Sequence, residues 1–145
     1  MLLNKRPILA LIPARSGSKG LHEKNMRKVN SVPLVGYSLQ AALNSKYINE
    51  VYLTSDDELT LSYGKELGAT PVSRPVEFST DTASANSVVE HFFNTLPESL
   101  LEQDPYIVYL QPTSPLRTSK HIDDALCQMM EQGFTKLVSV VEMAK

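Results

Sequence analysis

A loop that combines glycine with cationic side chains follows the first apolar run of the chain. The run spans residues 7–13, and the loop then supplies Arg15, Gly17, Lys19, Gly20 and Lys24. Glycine lets the backbone approach a ligand closely, successive N–H groups can form an anion-binding nest, and Arg and Lys add positive charge. The spacing matches neither the phosphate-binding pattern GxxxxGK(S/T) nor the dinucleotide pattern GxGxxG. The loop predicts a polyphosphate site, with an ordinary solvated surface loop as the alternative.

A second polar loop is the segment QPTSPLR, which begins at Gln111 after another apolar run. Its two prolines stiffen the turn and hold Gln111, Thr113 and Ser114 in place. Rigid donors lose little entropy when they bind, so this loop suits the orientation of a hydroxylated ligand. A proline-rich turn that only starts the next helix is the alternative.

A third polar loop begins at Arg74 and continues into residues 79–84, which read STDTAS. Arg74 follows an apolar run, where its planar fork of donors could reach a ligand. The alternative for Arg74 is a surface ion pair with Glu77 or Asp81. Capping of the next helix accounts for Asp81 or Thr82 in either case.

Apolar runs alternate with segments of helical periodicity along the chain. The predicted strands span residues 7–13, 50–55, 70–73, 106–110 and 137–141. This alternation predicts an α/β fold, a three-layer α/β/α domain with a mostly parallel sheet. Such sheets bind ligands beyond the carboxyl ends of their strands. We therefore expect three loops to line one cleft: the glycine loop (residues 14–25), the arginine loop (74–84) and the QPTSPLR loop (111–117).

Capping residues and proline predict where the helices begin. The expected first or capping residues are, in chain order, Pro33, a capping box of Ser55 and Glu58, Asp81 or Thr82, and Ser119. The second helix is expected to place Leu59, Tyr63 and Leu67 at helical spacing. Gly68 and Gly133 follow the second and fourth helices, where glycine commonly ends a helix.

Composition limits the class of protein. The 145 residues suffice for one domain, which we place at residues 1–145. A net charge of −2 argues against a nucleic-acid or anionic-membrane partner. No apolar run spans a membrane and no signal peptide is evident, so we expect a cytoplasmic protein, with Cys127 a buried structural thiol. The chain ends just after the last predicted strand, without a helix to cover it, so we expect a truncated C-terminus.

The three loops together resemble a known family. The motifs IPARSGSKG…KN, RP…STDTAS and LQPTSPLR occur in the order and at the spacings of the acylneuraminate cytidylyltransferases, also called CMP-sialic acid synthetases. The resemblance covers essentially the whole chain and about the N-terminal two-thirds of a typical member. It implies a nucleotide-diphospho-sugar transferase-like fold and the transfer of CMP from CTP to the anomeric hydroxyl of a nine-carbon α-keto acid sugar. Pyrophosphate would be released, with Mg²⁺ as cofactor.

The resemblance also implies roles for individual residues. Arg15, Lys19 and Lys24 would serve catalysis by neutralising the triphosphate, which agrees with the charge that attack on an α-phosphate requires. Asn25 would contact the ribose or the α-phosphate, and Arg74 with the backbone at Ala83 would read the cytosine edge. The full expected nucleotide-binding set is Ala14, Arg15, Ser18, Lys19, Asn25, Arg74 and Ala83, and the expected sugar-binding set is Gln111, Thr113 and Ser114.

The sequence does not identify the magnesium ligands of the resembled family. Family members hold Mg²⁺ with aspartates from a later part of the chain, and no aspartate here matches them: Asp56, Asp81, Asp123 and Asp124 all lie elsewhere. We expect the magnesium ligands outside this chain and a homodimer in the full-length form. Relatives often read DTASS where this chain has Ala85 in the last place, which leaves the details of base contact open.

Two other functions remain open. The first is another sugar nucleotidyltransferase of the same fold, using UTP or a different sugar. The second is a non-catalytic nucleotide-binding fragment. Base selectivity separates the first from a CTP-dependent enzyme, and turnover measured against binding separates the second.

Overall fold

The computed structural model describes residues 6–17, 23–80 and 83–140. Its strands are β1 (Ile8–Pro13), β2 (Lys28–Val29), β3 (Val32–Pro33), β4 (Glu50–Ser55), β5 (Thr70–Ser73) and β6 (Tyr106–Tyr109). Its α-helices are α1 (Leu34–Leu43), α2 (Glu58–Leu67), α3 (Ala85–Thr95), α4 (Glu98–Leu101) and α5 (Ser119–Glu131), and short 3₁₀ helices span Lys24–Met26 and Val76–Phe78.

Four strands form a parallel sheet in the order β5, β4, β1, β6. Leu11 in β1 lies opposite Tyr52 in β4 and Tyr109 in β6. Because all four strands run the same way, their carboxyl ends meet at one edge of the sheet, which is where such sheets bind ligands. The prediction of an α/β fold with a mostly parallel sheet is confirmed.

The central strand β1 packs against helices on both of its faces. Ile8, Ala10 and Ile12 join a core formed with α1, α2 and α5, whereas Leu9 and Leu11 join a second core with α3 and α4. All five side chains are buried. A strand buried on both faces is continuously apolar, which explains why this run was recognisable in the sequence.

Two helix starts differ from the sequence prediction. The predicted capping box of Ser55 and Glu58 is wrong, because α2 begins at Glu58 and is capped by Asp57, whose side chain accepts from the Thr60 amide at 2.9 Å. The buried residues of α2 are Thr60, Leu61 and Gly64, whereas Leu59, the first residue of the expected spacing, is 73% exposed.

Pro33 was expected to open a helix but instead ends β3. It pairs with Lys28 of β2 in a short antiparallel hairpin, and α1 begins at the next residue. Its ψ of 143° is extended rather than helical. Proline fixes only φ, so it fits the end of a strand as well as the first turn of a helix.

The caps of α3 and α5 lie close to the predicted residues but not on them. Ser84 caps α3 by accepting from the Ser87 amide at 3.1 Å, while the predicted Asp81 and Thr82 lie outside the described residues. Thr118 caps α5 in a capping box with His121, so the predicted cap Ser119 is the first helical residue. Hydroxyl side chains on neighbouring residues compete for one role, and the backbone angles decide between them.

Residues 137–140 form no strand, so the predicted fifth strand is wrong over its described part, and Val141 lies outside the described residues. In the described sheet β6 pairs with β1 alone, and no strand lies beyond it. Val138 and Val140 are largely exposed. An apolar run becomes a strand only where a neighbour satisfies its backbone groups, which this run lacks.

Two glycines lie at the ends of helices, and the single cysteine lies within a helix. Gly68 (φ 112°) caps the end of α2, and Gly133 (φ 67°) follows α5, as predicted. Cys127 is a free thiol and is only partly buried, less than expected. No helix in the described ranges is both long and apolar enough to span a membrane.

Candidate active site

The carboxyl edge of the sheet is where the polar loops begin. Ala14 is buried and its amide donates to the Thr54 carbonyl at 2.9 Å, while the Arg74 amide donates to the Ser55 carbonyl at 2.8 Å. The Leu110 amide donates to the Leu11 carbonyl at 3.0 Å. These bonds continue the ladders one residue past each strand. They place the starts of the glycine, arginine and QPTSPLR loops side by side at this edge.

The beginning of the glycine loop is tied to β4. Both donors of Ser16 bind Asp56, which follows β4 directly: the amide reaches Oδ1 at 2.8 Å and the hydroxyl reaches Oδ2 at 2.6 Å. Burial alone would raise the pKa of Asp56, but the hydrogen bonds from Ser16 and the attraction of Arg74 outweigh it, so the pKa lies below its usual value. The carboxylate is therefore ionised at neutral pH.

The end of the glycine loop returns to its beginning. Asn25 lies in the 3₁₀ helix Lys24–Met26, is buried, and donates from Nδ2 to the Arg15 carbonyl at 3.1 Å. Lys24 beside it is partly buried, as is Arg15. Ser18 and Lys19, both expected to bind the nucleotide, lie outside the described residues.

Arg74 is the most unusual side chain at this edge. It is 4% exposed, and its Nη1 donates to the Phe78 carbonyl at 2.9 Å. Its Nε and Nη2 are buried and have no hydrogen-bond partner among the described residues. Burial lowers the pKa of Arg74, although the guanidinium stays charged because arginine is effectively always protonated. A buried cation with two unused donors is costly unless a ligand completes it.

Three ionisable groups surround Arg74. Asp56 and Tyr109 favour its charged form, whereas the positive charge of Arg15 opposes it. Burial raises the pKa of Tyr109, and the nearby Arg74 lowers it in part. Asp56, weighed in the sequence only as a metal ligand, and Tyr109 were both missed as members of this edge. Their positions, directly after β4 and at the end of β6, were the available signal.

The rest of the arginine loop is compact. The Ser79 hydroxyl donates to the Pro75 carbonyl at 3.1 Å, and the Phe78 ring stacks on His91 of α3 with centroids 5.4 Å apart. The Ala83 amide donates to the Thr80 carbonyl at 3.1 Å, so its N–H is used within the loop. No ion pair between Arg74 and Glu77 is seen in the described part of the chain, and Asp81 lies outside it.

The QPTSPLR loop presents polar side chains on a hydrogen-bonded backbone. The Gln111 carbonyl accepts from the Ser114 amide at 3.3 Å and from the Ser38 hydroxyl of α1 at 3.5 Å. The Arg117 amide donates to the Ser114 carbonyl at 3.2 Å, which forms a second turn. The side chains of Gln111, Thr113 and Ser114 are exposed, so they are available to a ligand.

The described residues do not form a magnesium site of their own. No group of three Asp, Glu, His or Cys side chains that could hold a metal occurs among them. Asp56 is the carboxylate next to Arg74, and both of its oxygens already accept hydrogen bonds from Ser16. Magnesium takes carboxylates together with substrate phosphates and water. Its ligands stay a prediction, expected outside this chain.

Comparison with known proteins identifies the family. A cytidylyltransferase family model matches residues 9–145. The chain is 37% identical over 137 residues to an N-acylneuraminate cytidylyltransferase of Oncorhynchus mykiss, covering 94% of this chain and 31% of that protein. It is 39% identical over 140 residues to an N-acylneuraminate cytidylyltransferase of Escherichia coli O18:K1:H7, covering 95% of this chain and 32% of that protein.

A solved structure shares the fold. A CMP:2-keto-3-deoxy-manno-octonic acid synthetase solved with CTP superposes with a TM-score of 0.70 at 18% identity, covering 88% of this chain and 48% of that one. The chain spans about a third of the length of its curated relatives, less than the expected two-thirds, because these relatives are longer chains. The match of the family model over nearly all of its length shows that the chain belongs to the cytidylyltransferase family.

Proposed function

We propose that this edge of the sheet binds CTP and serves the transfer of CMP to the anomeric hydroxyl of a nine-carbon α-keto acid sugar, with release of pyrophosphate. The observation that carries the proposal is the buried guanidinium of Arg74, with two donors left without a partner among the described residues. Buried donors normally have a hydrogen-bond partner, and a bound ligand would supply one here. Membership of the cytidylyltransferase family supports cytidine as that ligand.

The base is the part of CTP that Arg74 suits. Cytosine presents two neighbouring acceptors, O2 and N3, and a planar guanidinium can donate to both. Uracil carries a proton on N3, which would meet a donor. The backbone near Ala83 is a candidate for the exocyclic amine through a carbonyl, because that amine is a donor and needs an acceptor. The Ala83 amide is itself a donor and binds the Thr80 carbonyl. This arrangement favours CTP over UTP.

The glycine loop suits the triphosphate. In the proposed reaction the sugar hydroxyl attacks the α-phosphorus, and the bond to the leaving pyrophosphate breaks. Arg15, Lys19 and Lys24 would offset the phosphate charge and the charge that develops on the leaving group. Ala14 and Ser18 would contribute backbone or hydroxyl contacts, and Asn25 would contribute its Oδ1 or the N–H of Nδ2 that the Arg15 carbonyl does not use.

The sugar acid would lie against the QPTSPLR loop. Gln111, Thr113 and Ser114 are exposed there on a backbone fixed by two turns. The relatives at 37% and 39% identity carry the name N-acylneuraminate cytidylyltransferase, which supports a nine-carbon acid over the eight-carbon acid of the more distant structural neighbour. A homodimer and bound Mg²⁺ belong to the same proposal for the full-length enzyme.

The test measures binding and turnover separately. Calorimetry with CTP, UTP and ATP on the 145-residue chain should give binding for CTP alone. The 145-residue chain should turn over very little, because the magnesium ligands are expected outside it. Incubation of the full-length enzyme with CTP, Mg²⁺ and N-acetylneuraminate or an eight-carbon keto acid should release pyrophosphate only with the nine-carbon acid. Equal binding of UTP would favour another sugar nucleotidyltransferase. Binding of CTP without turnover on either acid would favour the non-catalytic fragment.

A further inference from the structure

One peptide group at the carboxyl edge is held from both of its sides. The carbonyl of Arg15 and the amide of Ser16 belong to the same peptide bond. Asn25 donates to that carbonyl at 3.1 Å, and Asp56 accepts from that amide at 2.8 Å. Two hydrogen bonds in opposite directions fix the orientation of a peptide plane, and with it the direction in which the Arg15 side chain leaves the backbone.

Asp56 makes a second contact with the same residue. Its Oδ2 accepts from the Ser16 hydroxyl at 2.6 Å, so both carboxylate oxygens are used on one residue of the glycine loop. A hydrogen bond to an ionised acceptor is about twice as strong as one between neutral groups. Asp56 follows β4, whose carbonyl at Thr54 binds the Ala14 amide, so the loop leaves β1 along a rigid neighbour.

The charge of Asp56 makes this placement informative. A carboxylate beside a triphosphate site repels its ligand, and Arg74 is close enough to Asp56 for the two charges to interact. If Asp56 acted only through the electrostatic repulsion between its carboxylate and the triphosphate, its removal would tighten CTP binding. A contribution from geometry has the opposite sign, because a loop that loses its anchor must be ordered again when the ligand binds.

From these contacts we propose that Asp56 is a positioning residue for nucleotide binding, which acts through Ser16 by fixing the peptide group that carries Arg15. The proposal rests on the proposed binding of CTP at this edge. It assigns Asp56 no contact with the nucleotide. It also explains why a carboxylate lies near Arg74 at a proposed anion site.

Two substitutions separate geometry from charge. Asp56→Ala removes both hydrogen bonds and the charge. Asp56→Asn removes the charge but keeps an acceptor for the Ser16 amide and gives a donor for the Ser16 hydroxyl. Asp57→Ala is the matched control, because the adjacent carboxylate caps α2 through the Thr60 amide and hydroxyl. It should lower the melting temperature without touching the glycine loop.

The first readout is CTP affinity, measured by calorimetry on the 145-residue chain well below the melting temperature. Asp56→Ala should weaken CTP binding about tenfold or more, because small displacements of binding groups have effects of that size. Asp56→Asn should bind CTP as well as the unaltered chain or better, and Asp57→Ala should bind it equally. The second readout is amide hydrogen exchange at Ser16, which should become faster in Asp56→Ala and stay slow in the other two proteins.

Several results would overturn the assignment. Unchanged or tighter CTP binding by Asp56→Ala would mean that Asp56 affects CTP only through the electrostatic field of its carboxylate. If Asp56→Asn weakened CTP binding as much as Asp56→Ala, the lost charge would be the cause. If Asp57→Ala weakened CTP binding equally, the cause would be general destabilisation of the fold. Absence of CTP binding by the unaltered chain would overturn the proposed function. Hydrogen exchange at Ser16 would still report whether Asp56 holds the loop in that case.

Discussion

The side chain of Asn25 binds the backbone carbonyl of Arg15. Its Nδ2 donates to the Arg15 carbonyl at 3.1 Å, across a loop whose two ends it joins. The sequence predicted Asn25 as a nucleotide contact, and with one N–H bound to the chain this buried amide has its Oδ1 and its second N–H left for one. Its first role is therefore to close the glycine loop.

Substitution of this residue should affect both stability and binding. Asn25→Ala leaves the Arg15 carbonyl without its donor, so we expect a loss of about 1–3 kcal/mol in the free energy of unfolding. CTP binding should weaken as well, because the loop ends separate. Urea unfolding and calorimetry measure the two effects. Asn94→Ala, at an exposed position of α3, is the control, and an Asn25→Ala protein as stable as this control would contradict the expectation.

The cations of the glycine loop should matter for CTP binding. Each charge-assisted contact to a phosphate is worth roughly 1.5–3 kcal/mol. Arg15→Ala and Lys19→Ala should each weaken CTP binding, measured by calorimetry, by about an order of magnitude or more. Lys65→Ala, on the exposed face of α2, should leave CTP binding unchanged. Unaltered CTP affinity in both loop variants would show that the glycine loop does not bind the triphosphate.

Base selectivity should depend on the planar fork of Arg74. Arg74→Lys keeps a positive charge in the buried position but loses the paired donors. We expect weaker CTP binding and a smaller ratio of CTP to UTP affinity, measured by calorimetry with both nucleotides. A variant that binds less tightly but discriminates as before would assign the base edge to other groups.

The central strands β1 and β4 were predictable because burial on both faces leaves a strong sequence pattern. Glu50–Ser55 and Thr70–Ser73 have the predicted bounds, and β1 is shorter by one residue. Helix starts were less predictable. Ser55 lies within reach of a helix start, yet its hydroxyl accepts from the Asp57 amide at 3.0 Å, and Asp57 caps the helix. Which of several polar neighbours caps a helix depends on backbone angles that the sequence alone does not specify.

The candidate site also has one part that the sequence predicted and another that it did not. Arg15, Arg74 and Gln111 could be placed at one edge because each follows a recognisable strand. The bond between Asp56 and Ser16 joins residues 40 positions apart, and no local pattern encodes it. The burial of Arg74 was equally hidden, since an arginine in a polar loop is usually exposed.

Gly64 should resist substitution because of its packing on the sheet. A β-carbon at this position of α2 would overlap the Leu53 side chain, which is fully buried in β4. Overpacking costs about 1–3 kcal/mol, and alanine returns about 1 kcal/mol of helix propensity. Gly64→Ala should therefore lower the melting temperature. Gly17→Ala, with no atom of the described residues within 4 Å, should leave it unchanged, and equal stability of the two variants would contradict this packing.

The ionised state of Asp56 should give stability a specific pH dependence. Its folded pKa lies below the unfolded value of about 3.9, because the hydrogen bonds from Ser16 outweigh the effect of burial. A depressed carboxyl pKa contributes stability above the unfolded value, and this contribution is lost as pH falls through the folded value. Nearby Arg74 stays protonated and Tyr109 stays neutral throughout that range, so they do not add to the change.

The measurement is a difference between two proteins, so that the titration of the other carboxylates cancels. The free energy of urea unfolding is determined for the unaltered chain and for Asp56→Asn between pH 7 and pH 3. The unaltered chain should be more stable than Asp56→Asn by a constant amount from pH 7 to about pH 5, and the gap should narrow as the pH falls below about 4. A gap that widens toward acid pH would mean that the folded state favours the protonated carboxyl. The two bonds from Ser16 would then not be made to a carboxylate.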